Sequence, residues 1–140
     1  MMITGCEWLD VFVDQQRQIR RGTRKFGYWL LDVAQAGTYE FEMRRWPKEL
    51  NLPLMDPSPE GGVALPITTA RLFINNFHHL DIADKPPYRF EGLVKKVTAG
   101  DTHATFTIDL DKGPMALHTW FDDAYRETIA SAYYVYVTRQ

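Results

Sequence analysis

From Gly27 to Pro47 the chain reads GYWLLDVAQAGTYEFEMRRWP, and its apolar positions recur with a period of two. Trp29, Leu31 and Val33 fall on one side of an extended segment, with Tyr28, Leu30 and Asp32 on the other. Gln35, Ala36 and Gly37 break the pattern. Tyr39, Phe41 and Met43 then alternate with Glu40, Glu42 and Arg44, as in an antiparallel strand with one wet face. The spacing predicts two strands, the first buried more completely and the second half exposed. Pro47 lacks an N–H and fixes φ, which predicts a strand end at Trp46 and leaves Arg44, Arg45 and Trp46 at a sheet rim. Alternation places Arg45 on the core side, where it has to reach past the core edge or find a carboxylate. Arg44 and Trp46 share the other face.

The same reading extends to the rest of the chain. Met2 to Val13 holds one short strand or two, and Gln15 to Phe26 is a surface loop with Arg17, Arg20, Arg21, Arg24 and Lys25 and no acidic residue. Residues 48–67 carry Pro53, Pro57, Pro59, Gly61, Gly62 and Pro66, a density of turn formers that excludes a regular element. Thr68 to Asn75 resumes alternation, with Ala70, Leu72 and Ile74 on one face, and Phe77 to Ile82 is a candidate hairpin partner. Pro86 and Pro87 mark a turn, and Arg89 to Thr98 is a further strand candidate. Ala104, Phe106, Ile108 and Leu110 alternate with Thr105, Thr107 and Asp109. Met115 to Phe121 and Ser131 to Thr138 complete the set, separated by a polar loop over 122–128. Strands at this spacing with turn signals between them predict an all-β domain, a β-sandwich of antiparallel sheets, with Tyr39, Phe41, Leu72, Phe106 and Ile108 in one core.

The run GYWLLDVAQAGTYEFEMRRWPKE resembles the region that follows the catalytic domain in bacterial sulfatases of the arylsulfatase type, where W-x-V-x-x-x-G-x-Y-x-x-x-L-R-R-W-P opens a C-terminal β-rich domain. ALPITTARLFINNF at 64–77, ATFTIDLDKG at 104–113, LHTWFDD at 117–123 and AYYVYV at 132–137 resemble later segments of that domain, in the same order. The resemblance covers nearly the whole chain and implies a non-catalytic accessory domain, with partners in a sulfatase catalytic domain or a sulfated, anionic glycan. The motif order also looks like the jelly-roll sandwiches of carbohydrate-binding modules, so a free-standing carbohydrate-binding protein is the alternative. Fold likeness alone does not confer function.

Composition changes this picture little. A length of 140 residues suits one domain, and 45% apolar with 24% charged residues is ordinary. A net charge of −2 argues against bulk binding of nucleic acid. Aromatic residues at 14% favour pleated surfaces. No segment has the length and apolarity of a membrane span, and the N-terminus has no basic region followed by an apolar core. The parent enzyme implied by the resemblance is exported, in which case its address lies upstream.

Chemistry is sparse. The resemblance would require C/S-x-P/A-x-R for a sulfatase nucleophile, but Cys6 is followed by Glu7, Trp8, Leu9 and Asp10. Neither Ser58 nor Ser131 sits in a G-x-S-x-G elbow. His78, His79, His103 and His118 lack zinc spacing, since adjacent histidines on a strand point to opposite sides. A structural calcium around Asp122 and Asp123, or around Glu7 and Asp10, suits this architecture, with solvated surface as the competing role. The remaining constellation is Arg44, Arg45 and Trp46 at a strand end, with Tyr28 and Trp120 on strands and the basic loop over 17–25. Indoles stack on sugar C–H faces and guanidinium groups bind sulfate or carboxylate, so these five residues are the candidate glycan site. Packing at the end of the sandwich is the competing role for Trp46, and pairing with Glu42 or Glu49 the competing role for Arg45.

Overall fold

The computed structural model describes residues 1–5, 19, 27–76 and 92–140. Among these residues it has nine strands: β1 (Met2–Thr4), β2 (Tyr28–Val33), β3 (Gly37–Arg44), β4 (Thr69–Asn76), β5 (Leu93–Lys96), β6 (Ala104–Leu110), β7 (Gly113–Asp122), β8 (Thr128–Ala130) and β9 (Tyr134–Arg139). They form two antiparallel sheets that share one core, the β-sandwich that the alternation predicts. The four-stranded sheet runs β1-β9-β3-β6, and the five-stranded sheet runs β2-β7-β4-β5 with β8 paired to β7. Successive strands repeatedly cross from one sheet to the other. The expected strands at 6–13 and 77–82, the turn at Pro86 and Pro87, and Cys6 lie outside the described residues.

The period of two explains the core. Phe41 and Met43 on β3 and Ala104 and Phe106 on β6 face Trp29, Leu72, Leu117 and Phe121 of the other sheet, all buried, with Tyr39 and Ile108 partly buried against them. Phe41 pairs with Phe106 and Tyr39 with Ile108, so the core residues predicted on these two strands are cross-strand neighbours. At the far end the sheets leave a cleft of about 250 Å³ with Val33, Ile74, Ile108, Leu110 and Met115 in its walls.

Two expectations for β2 and β3 are corrected. β2 keeps a wet face, with Leu30 and Asp32 exposed, whereas β3 is buried on both faces over Phe41–Arg44. β3 is flanked on both sides by β6 and β9 and roofed at one end by the loop after Pro47, while β2 has one strand neighbour among the described residues. The strand also stops at Arg44, two residues before the end predicted from Pro47. Alternation therefore does not reach Trp46, and both Arg45 and Trp46 turn inward. Further along, the strand expected from Ser131 begins three residues later, as β9 at Tyr134, and a short strand not expected from the sequence, β8, starts at the end of the expected polar loop.

Candidate functional site

The Arg44–Trp46 end is an anchor for the loop over 47–66. Arg45 is 0% exposed and Trp46 1% exposed. Arg45 reaches backbone carbonyls: Nη1 donates to Asp56 O (3.0 Å), and Nη2 donates to Val63 O (2.6 Å) and Ile19 O (3.3 Å). Burial pulls its pKa down to about 10, against the opposing influence of Tyr133 and Asp56, so it stays charged at neutral pH. A buried guanidinium is tolerable here because its donors close the orphan carbonyls of an irregular segment. Arg44 is buried too, donating to Glu42 Oε1 (2.8 Å) and Asn51 Oδ1 (3.3 Å). Lys48 Nζ lies 3.4 Å from Glu42 Oε2, and His103 Nδ1 lies 3.7 Å from Oε1. It is Arg44, and not Arg45, that pairs with Glu42.

Tyr28 and Trp120, by contrast, meet on the outer face of the five-stranded sheet. In β7 the side chains of Leu117, Thr119 and Phe121 enter the core, so those of His118 and Trp120 project outward. Register then sets two rows. Tyr28 and Phe73 both lie opposite His118, while Trp120 lies opposite Arg71, which in turn lies opposite Val94. The His118 imidazole stacks on Tyr28 (centroids 5.0 Å apart, planes 15° apart) and on Trp120 (5.6 Å, 23°). The Arg71 guanidinium stands 4.6 Å from the Trp120 ring centroid. Burial lowers the His118 pKa, so the imidazole is neutral at pH 7. The sequence reading missed His118 as a bridge between Tyr28 and Trp120. The alternation within LHTWFDD carries the signal that could have found it.

The polar atoms of this stack are uncommitted. The Tyr28 hydroxyl, the His118 ring nitrogens and the Trp120 indole N–H make no hydrogen bond within the described structure, and each reaches the surface. Other aromatic side chains behave differently: the Trp29 indole donates to Thr4 O, the Trp46 indole to Asp56 O and the Tyr39 hydroxyl to Gln35 O. A stacked row of rings with open donors and acceptors along its edge suits a flat, polyhydroxylated ligand. The cleft at the far end offers apolar walls, and its polar members Asp109, Asp111 and Lys112 sit at exposed positions.

The two aspartates considered for calcium are otherwise engaged. Asp122 is buried and paired with Arg71, through Nε to Oδ2 (2.5 Å) and Nη2 to Oδ1 (3.2 Å), and accepts from the Thr128 hydroxyl (3.0 Å). Asp123 Oδ1 accepts the N–H groups of Tyr125 and Glu127. Solvated surface is therefore not the role of Asp122. Among the described residues no group of three or more His, Cys, Asp and Glu side chains is placed to hold a metal ion. Glu7, Asp10, His78, His79 and all of the basic loop except Ile19 lie outside the described residues.

Comparison with known protein families, curated proteins and solved structures returned no match to this chain.

Proposed function

We propose that this chain is a non-catalytic accessory domain of a sulfatase-type enzyme, and that the outer face of its five-stranded sheet supports recognition of a sulfated or otherwise anionic glycan. The observation that carries the reading is the Tyr28–His118–Trp120 stack with its open polar edge. The resemblance of the 27–49, 64–77, 104–113, 117–123 and 132–137 segments supports the sulfatase context. No nucleophile setting of the sulfatase kind is present around Cys6, so the domain itself hydrolyses no sulfate ester.

A glycan array tests this reading. The wild-type domain is expected to bind a subset of glycans, and Trp120→Ala to lose about tenfold or more in affinity, as a base-sized stacking partner is worth at aromatic platforms. Absence of any glycan bound by the wild-type domain would overturn it in favour of docking on a catalytic domain, which Leu30 and Val94, 51% and 54% exposed beside the stack, would then serve.

A further inference from the structure

If the outer face reads a glycan, something on that face has to sense its charge, and the cations there are not equivalent. Arg71 is held by Asp122 and Thr128 and lies against Trp120, so its charge is balanced and its donors are directed into the protein. Lys96 lies in the next row, opposite Thr69, which is itself opposite Asp122. It is exposed and forms no ion pair or hydrogen bond among the described residues. Lys95 differs from its neighbour, since the pleat turns it toward the other side of the sheet, where its Nζ sits 5.4 Å from the Phe106 ring centroid. The backbone fixes β5 at this register. Gly92 enters it at φ +60°, and a Cβ there would collide with the Leu72 carbonyl.

Resting on the glycan reading of this face, we infer that Lys96 is the residue that reads the anionic substituent, and that the ligand extends from the aromatic stack across β4 to β5. With strands about 4.8 Å apart and a rise of about 3.4 Å per residue, the Cα of Lys96 lies about 12 Å from that of Trp120. The flexible Lys96 stem covers part of that span, so the ligand is a saccharide whose sulfate or carboxylate lies beyond the edge of the ring that stacks. An ammonium on a flexible stem suits a substituent of variable position, whereas the Arg71 fork is fixed by its carboxylate.

The test uses glycans arrayed in pairs, each with and without its sulfate, followed by titration calorimetry on the best pair. The wild-type domain is expected to prefer the sulfated member by about fivefold to tenfold, the scale of one charge-assisted hydrogen bond near a surface. Lys96→Gln removes that preference and flattens the salt dependence while binding of the unsulfated member is unchanged. Lys95→Gln keeps the preference. A Lys96→Gln domain that still prefers the sulfated member, or a wild-type domain that binds both members equally, overturns the role of Lys96 and leaves the aromatic site standing. A wild-type domain that binds neither member of any pair overturns the glycan reading itself, and this inference with it.

Discussion

Arg45 and Trp46, adjacent in the chain, donate to the same acceptor: Arg45 Nη1 and Trp46 Nε1 both reach the carbonyl oxygen of Asp56, at 3.0 and 3.1 Å, with the guanidinium 4.5 Å from the indole centroid. One backbone oxygen thus gathers two buried side chains from the end of a strand and fastens a proline-rich loop across the core. The pairing explains how residues 47–66 hold a defined path without regular secondary structure.

Trp46→Ala is expected to cost about 3 to 5 kcal/mol, as a cavity-forming loss of a buried indole does. Arg45→Met removes the donor to the carbonyls of Val63 and Ile19, leaves Asp56 O with the Trp46 indole, and is expected to cost about 3 kcal/mol. Urea denaturation measures both. Limited proteolysis of the Arg45→Met protein should cut first within 47–66. A Trp46→Ala protein with the parent's midpoint would show that the indole is not an anchor.

In the core, Phe41→Ala or Phe106→Ala should each cost about 3 to 5 kcal/mol. Because the two rings are cross-strand partners, the double mutant should cost less than the two single losses together. Additive losses would mean that the rings do not share one packing site.

Breaking the buried Arg71–Asp122 pair from one side strands the other charge. Arg71→Met alone should lose about 3 to 5 kcal/mol, and Arg71→Met with Asp122→Leu should recover much of it. A double mutant no more stable than the single one would argue that Thr128 and Trp120 depend on the guanidinium itself.

Acid should act on the fold through two groups. Burial pushes the Glu42 carboxyl up, but the Arg44 hydrogen bond and the charges of Arg44, Lys48 and His103 together outweigh it, and the folded pKa lies below the ordinary 4.5. The stability Glu42 contributes is therefore complete above about pH 4.5 and is lost as pH falls through the depressed value. His118 is also depressed, by burial, so the unfolded chain takes up a proton first and stability declines as pH drops below about 6.5. Denaturation midpoints measured from pH 8 to 3 should show Glu42→Gln flattening the most acidic part of the profile and His118→Gln the part just below neutrality. A variant whose profile superimposes on the parent's would remove that group from the account.

The period of two made the sandwich legible because both sheets bury one face and leave the other partly wet, so β2, β4, β6 and β7 could be placed to within a few residues. Alternation fails at Arg45 and Trp46 for a physical reason. Period two holds only while the backbone stays extended, and beyond Arg44 local bends replace the ladder. Proline at 47 marks the boundary but does not say where within the preceding two residues the strand gives way. The candidate site was half legible: Tyr28 and Trp120 stand out as aromatic residues on outward positions. Their meeting is set by the register of β2 against β7, a long-range property that no local pattern encodes. Arg71, Asp122 and Lys96 became distinguishable for the same reason, because which cation is neutralised depends on strand pairing across the sheet.

The place of β9 in the four-stranded sheet bears on the timing of folding during synthesis. It lies between β1 and β3, so among the described residues β1 pairs with β9 alone, and Met1 O accepts from Val137 N across 136 positions of sequence. A ribosome must therefore have released residues 134–139 before either the interior of that sheet or its β1 edge can form. Until then β3 lacks its β9 partner, a window in which a stalled nascent chain is open to association through that side of β3.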